Sequence, residues 1–258
     1  MTLSDEQLER YARQLVLAEW GAGEQEAVGA AAAIVVGAGA LGTIVAAYLA
    51  GAGIGRLGIV DDDVVELSNL ARQPLYATAD LGQGKADLLA RRVGALNPDV
   101  VAEPYPVRLE DANAEAIVGA AAVVVDCTDS SSSRYAVNKG CCAGRVPLVE
   151  GGVAGFEGLV LSVVPGRSAC YRCAFPTAPV DARSCAETGI LGPIAGIIAS
   201  IQALEALKLL TGVGEPLLDT ILTLEGTTMS QLRVATARRP DCADCGALRS
   251  NPGDTPQS

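Results

Sequence analysis

Gly37-Ala38-Gly39-Ala40-Leu41-Gly42 reads G-x-G-x-x-G, directly after the apolar run Ala33 to Val36 and before a second apolar run. Glycines in that context let a phosphate approach backbone N–H groups at a helix N-terminus, where the dipole favours an anion. Asp61 ends the next apolar run and is placed to accept hydrogen bonds from ribose hydroxyls. Ser68, Asn69 and Arg72 follow it, and Lys85 starts a helical pattern behind Gly82 and Gly84. Asp126, Asp129 and Ser130 stand at the end of a later apolar run, where a hard carboxylate can hold Mg²⁺. Each charge alone reads as a solvated side chain, and the glycine turn alone reads as tight packing. Together they describe a crevice for a nucleoside triphosphate, whose charge calls for several cations and a divalent ion.

The cysteines form a second set. Cys170-x-x-Cys173 and Cys242-x-x-Cys245 are two thiolate pairs, and with no histidine in the chain a tetrahedral zinc site must be all-cysteine. Redox disulfides are the competing reading, but neither pair sits where a thioredoxin-like motif starts its helix. Cys127, Cys141 and Cys142 lie in apolar surroundings and read as packing residues. Cys185 lies beside Arg183, ahead of a helix expected from about Thr188, and both features favour a thiolate.

Composition limits the chemistry. The absence of histidine excludes any Ser-His-Asp or Cys-His mechanism and leaves carboxylates, Lys, Arg, Cys, backbone amides or a bound ion. With 19 Lys and Arg against 30 Asp and Glu, the net charge of −11 argues against general nucleic-acid binding. The chain is 50% hydrophobic, which excludes disorder for most of it. Glycines interrupt the uncharged stretch from Ala27 to Gly55, and Thr188 to Leu204 suits a buried helix, so no membrane span is expected. Met1 to Arg13 is charged and lacks the apolar stretch of a signal peptide, so we expect a cytoplasmic protein with reduced thiols.

The elements that must position these residues follow from periodicity. Ser4 and Gln7 form a capping box, and Leu8, Tyr11, Leu15 and Ala18 then repeat at helical spacing, predicting one opening helix. Strands are expected over Ala33–Val36, Leu57–Val60, Val100–Glu103 and Ala122–Asp126, and helices over Leu41–Leu49, Gly84–Leu96 and Asn113–Val118. Alternation of this kind implies an α/β fold, a Rossmann-like, doubly wound, mostly parallel sheet. Extended runs at Val146–Val149, Leu159–Val164, Ile221–Leu224 and Leu232–Ala235, with one long helix among them, predict an antiparallel extension of the same sheet. We expect one domain over residues 1–246, nucleotide-binding to about residue 145 and zinc-holding beyond, then a flexible tail over 247–258.

Order and spacing of Arg10-Tyr11-Ala12-Arg13-Gln14, Gly37 to Gly42, Asp61 to Gln73, Lys85, Asp126-Cys127-Thr128-Asp129 and the two CxxC pairs resemble the MoeB/ThiF family, bacterial relatives of the catalytic domain of ubiquitin-activating enzymes. The resemblance covers the chain up to Cys245. It implies a homodimer that uses ATP to adenylate the C-terminal glycine of a small ubiquitin-like sulfur carrier, of the MoaD or ThiS type, ending in Gly-Gly. It also implies roles: Asp61 on the ribose, Asn69, Arg72 and Lys85 on the phosphates, Asp129 on Mg²⁺, Arg13 reaching the partner subunit's triphosphate, and the four paired cysteines on a structural zinc. Some relatives use a cysteine in the crossover loop for a covalent bond with the carrier and others stop at the adenylate, which leaves both readings open for Cys185. The chain departs from the pattern at Ala40, where many relatives have glycine, and at Ser130, where they often have Asn.

That chemistry suits a chain without histidine, because a peptide C-terminal carboxylate with a pKa of about 3.5 needs no general base. An NAD-dependent oxidoreductase would share the glycine turn and Asp61 but leaves Arg13, Arg72, Lys85 and Asp129 unexplained. An inactive binding partner would lack the phosphate-binding cations retained here. No sulfurtransferase segment follows Cys245, so a separate sulfur donor protein is expected, and the pathway (molybdopterin, thiamine, cysteine or tRNA thiolation) stays open.

Overall fold

The computed structural model describes residues 3–119, 121–177 and 189–248. Its framework is an eight-stranded sheet in the order β3-β2-β1-β4-β5-β6-β7-β8. The parallel part comprises β1 (Ala32–Val36), β2 (Arg56–Val60), β3 (Val101–Tyr105), β4 (Val123–Asp126) and β5 (Leu148–Ala154). β6 (Glu157–Val163), β7 (Thr220–Glu225) and β8 (Ser230–Ala235) continue it antiparallel, as the change of pattern after Val146 predicts.

β1 and β4 are bare of charge until Asp126 because both of their faces are covered, the usual state of central parallel strands. Ala33 and Val35 point into one core layer with Val45, Leu49, Leu89 and Ile198; Ile34 and Val36 point into the other with Val124, Leu148 and Leu161. Chain order reverses between β1 and β4, so the carboxyl ends of these two strands open a crevice at the switch point of the sheet.

The opening helix is not continuous. It divides at Tyr11 into α1 (Asp5–Arg10) and α2 (Ala12–Leu15), although the Ser4/Gln7 capping box forms as expected. Tyr11 is buried, accepts from Asn97 Nδ2 at 2.9 Å, and faces Gly53, where a Cβ would stand 2.6 Å from its ring. Tertiary anchoring of this ring overrides the helical repeat. Two helices of nine or more residues escaped the periodicity: α3 (Ala22–Ala30), which buries only Gln25 and Val28, and α7 (Ser131–Gly144), whose opening serines mask its pattern.

α4 (Gly42–Gly51), α5 (Lys85–Leu96) and α6 (Ala114–Val118) match expectation to within two residues. After the short α8 (Tyr171–Ala174), α9 (Gly192–Thr211) packs across β5, β6 and α4. By length and hydropathy α9 passes for a membrane span, yet it buries Ile194, Ala195, Ile198, Ala199, Gln202 and Ala203 along one face within the fold. Gln202 donates to the Asp126 carbonyl at 2.7 Å, which ties α9 to the end of β4.

Candidate functional site

A crevice of about 400 Å³ opens at the ends of β1, β2 and β4. Gly37 has φ of +94°, and a Cβ there would meet the Cys127 carbonyl at 2.9 Å. Only glycine satisfies both conditions. Gly42 is required by packing: a Cβ would lie 1.7 Å from the Gly37 carbonyl oxygen, and Gly42 does not itself line the crevice. Gly39 and Ala40 face the crevice, and a Cβ at Gly39 would meet only Gln73 Nε2, at 3.7 Å.

Asp61 holds the turn from the end of β2. Its Oδ2 accepts from the Ala38 N–H at 2.7 Å and its Oδ1 from the Asp63 N–H at 2.8 Å. Burial pushes its carboxyl above the usual range, opposed by these two bonds and by Lys85. Tyr76 donates to the Ala38 carbonyl at 2.9 Å from the opposite side, so the turn is fixed before any ligand arrives.

Asn69, Arg72, Lys85, Asp129 and Ser130 line the same crevice. Asn69 is buried, its Oδ1 accepting from the Glu66 N–H at 3.1 Å in the 3₁₀ turn Leu67–Asn69. Arg72 donates to the Ser68 carbonyl at 2.9 Å; Ser68 itself lies outside the crevice wall. Lys85, buried at the start of α5, meets Asp63 at 3.1 Å. Ser130 caps α7, accepting from the Ser133 N–H at 3.1 Å, which commits its hydroxyl.

Three placements depart from expectation or lie beyond description. Asp126 is fully buried and absent from the wall, so an Mg²⁺ ligand from this segment falls to the exposed Asp129. Its carbonyl and carboxylate serve Gln202 and the Thr128 N–H instead. Arg13 is exposed on α2 and outside the crevice of its own chain. Cys185 and most of the expected tail fall outside the described residues.

Residues that sequence reasoning missed complete the wall: Gln73, whose buried Oε1 finds no partner among the described residues; Arg108, 3.2 Å from Asp62; and Arg134. Gln73 falls within the motif already singled out, which was a signal. Arg134 sits on an amphipathic helix and reads from sequence as a solvated charge.

The thiols of Cys170, Cys173, Cys242 and Cys245 lie within 4.8 Å of one another, all four residues buried. Separations of 3.8 Å (170 to 173), 3.6 Å (170 to 242) and 3.4 Å (173 to 245) approach the roughly 3.8 Å edge of a tetrahedron with Zn–S bonds of about 2.3 Å. The donor set therefore fits zinc, with the Arg239 N–H on the Cys173 sulfur at 3.3 Å as a supporting bond. Burial pushes the Cys127 and Cys141 thiols well up, in keeping with packing roles.

Comparison with known proteins adds three likenesses. At 41% identity over 253 residues, 95% of this chain and 93% of the relative, the chain is similar to the sulfur carrier protein adenylyltransferase of Thermus thermophilus. It is 36% identical to the molybdopterin-synthase adenylyltransferase of Escherichia coli, over 95% of this chain and 98% of that one. The crystal structure of Escherichia coli MccB with ATP superposes with a TM-score of 0.81 over 92% of this chain and 74% of that one; at 23% identity this is a likeness of fold. The model of the ThiF family matches residues 11–246, a span that runs from Tyr11 past the last clustered cysteine and takes in every strand of the sheet, so the chain belongs to the ThiF family.

Proposed function

We propose that this enzyme uses ATP to adenylate the C-terminal glycine of a small ubiquitin-like sulfur-carrier protein, of the MoaD or ThiS type, releasing pyrophosphate. One observation carries the reading: a glycine turn, Asn69, Arg72, Lys85 and Asp129 converge on one crevice, a set that a triphosphate needs and a nicotinamide does not. The names of the relatives, both adenylyltransferases, support it.

In the reaction, a carboxylate oxygen of the carrier attacks the α-phosphorus, the bond from that phosphorus to the α,β-bridging oxygen breaks, and pyrophosphate leaves with both electrons. The attacking group is already ionised, so the chain supplies alignment and positive charge rather than a base. The glycine turn receives phosphate on its N–H groups, Asp61 takes the ribose, and Asn69, Arg72 and Lys85 neutralise the departing charge. Asp129 offers a hard oxygen that would hold Mg²⁺, which would supply positive charge against the phosphates.

The remaining assignments belong to the same reading. Residues 1–246 form one adenylation domain with the nucleotide half before about residue 145 and the carrier-binding, zinc half after it. The enzyme is a cytoplasmic homodimer in which Arg13 reaches the partner subunit's triphosphate. Two observations support this: Arg13 stands outside its own crevice, and an apolar face of α4 and α9, with Tyr48 57% and Leu204 57% exposed, offers a surface for a second copy. Sulfur comes from a separate donor protein, and Cys185 is the residue available for a covalent bond to the carrier.

Carrier-dependent exchange of labelled pyrophosphate into ATP, run with a panel of carriers ending in Gly-Gly, tests the proposal. Exchange with at least one carrier is expected. Exchange with none of them, or nicotinamide binding in the crevice, would refute it.

A further inference from the structure

Arg134 is a largely buried cation of the crevice that the reaction above leaves unused. It rises from α7 behind Asp129, with its side chain only 14% exposed. Nη2 donates to the Thr128 carbonyl at 3.1 Å, and Nε lies 3.4 Å from Glu150 Oε1. The planar guanidinium rests on the backbone of β5 at Gly152, where a Cβ would come within 2.5 Å of Nη1. Any side chain at position 152 would displace it.

Beneath Arg134 lie two buried carboxyls on neighbouring strands. Asp126 and Glu150 are register partners on β4 and β5, both 0% exposed. Asp126 Oδ2 and Glu150 Oε2 accept no hydrogen bond among the described residues, and Glu150 Oε1 has only the ion-pair contact with Arg134 Nε. The two carboxyls face one another, and burial, then for Glu150 the charge of Asp126, pushes both above the usual carboxylate range, which favours a proton held between them. One negative charge then remains under Arg134, enough to hold it without repelling a second anion from its crevice side.

Position along the sheet decides what that anion is. From β2 through β1 and β4 to β5, the strand ends present Asp61, the glycine turn, Asp129 and then Arg134 over Gly152. Arg134 thus lies across the phosphate-binding turn from the ribose side. The wall there is apolar, with Val153 and Ile190, which suits a peptide chain better than a polyphosphate.

We propose that Arg134 binds the C-terminal carboxylate of the incoming carrier, and that Glu150, Asp126 and the bare backbone of Gly152 are the positioning elements that aim it. This rests on the adenylation reading and names the residue that receives its acceptor. Arginine suits the task because its fork meets both carboxylate oxygens, which a lysine ammonium does not.

The test uses full-length enzyme and a carrier that gives pyrophosphate exchange with the wild type; absence of wild-type exchange would sink the adenylation reading itself. Arg134→Lys keeps the charge and guards against misfolding, which melting temperature checks, and Arg134→Gln removes the charge. Arg134→Lys should raise the carrier KM about tenfold or more, the scale of a lost charge-assisted hydrogen bond, while the Kd for ATP without carrier changes less than about twofold. Replacing the carrier's terminal carboxylate by a carboxamide should weaken binding to the wild type but make no further difference to Arg134→Gln. An ATP affinity that falls in step with carrier affinity would make Arg134 a phosphate contact and overturn the proposal. Unchanged carrier KM, or an amide penalty as large in the variant as in the wild type, would overturn it as well.

Discussion

Asp129 shows how a single side chain acquires its place. β4 ends at Asp126, whose carboxylate turns inward to accept from the Thr128 N–H at 2.9 Å, and the chain leaves the sheet so that the next acidic residue projects into the crevice. Because Asp129 is exposed and Asp126 carries the structural bonds, Asp129→Ala should leave the fold intact and lower the rate of adenylation by orders of magnitude. Pyrophosphate exchange near the wild-type rate in a variant with unchanged melting temperature would contradict the assignment. Glu150 gives a second prediction. Burial, and then the neighbouring Asp126, hold its carboxyl well above the ordinary 4.5, so the folded chain keeps a proton that the unfolded chain has lost. That contribution is fully present below the unfolded pKa and is lost as pH rises above it, by up to about 1.4 kcal/mol per pH unit while the folded group stays protonated. Glu150→Gln mimics the protonated form and lacks this loss. In urea titrations from pH 5 upward, the variant should therefore gain on the wild type as pH rises; parallel profiles would refute the shared proton.

At the scale of elements, the four-cysteine knuckle links parts distant in sequence. Asp244, between two of the thiols, accepts from Asn138 of α7 at 2.7 Å and pairs with Arg172 of α8 at 2.8 Å, and the Tyr171 N–H donates to Asn138 at 2.8 Å. Four thiolates gathered around no ion would repel one another, so we propose that a bound metal stabilises the knuckle. We expect about one zinc per chain, and Cys242→Ser should lower melting temperature more than it lowers the activity of the molecules that remain folded. A metal-free, folded and fully active preparation would refute this. The strands and the Gly37 to Gly42 turn were legible in the sequence because apolar runs of β length ending in glycine or aspartate have few other uses. The break at Tyr11 and the burial of Glu150 were not legible, since each is decided by partners far along the chain: Asn97 and Gly53 for one, Asp126 and Arg134 for the other. Arg134 and Arg108 were hidden for the same reason, their roles depending on which way a helix or loop faces.

The whole molecule places the glycine turn and an apolar wall with Val153 and Ile190 at adjacent strand ends of one sheet, an arrangement that suits an acyl-adenylating enzyme. In the homodimer proposed above, the Arg13 of another subunit would complete it. Arg13→Ala and Lys85→Ala chains, each nearly inactive alone, should regain activity when mixed under subunit-exchange conditions, because one of the two sites in a mixed dimer then holds both native cations. Mixtures as inactive as their components would place Arg13 in its own subunit's site or in none. The central claim is the chemical step, and the product tests it most directly. Intact mass spectrometry of a Gly-Gly carrier incubated with enzyme, ATP, Mg²⁺ and pyrophosphatase should show the carrier heavier by one adenylyl group, and no change when its C-terminal carboxylate is blocked as an amide. An unmodified carrier across the whole panel, or an adduct that forms equally on the amide, would contradict the account.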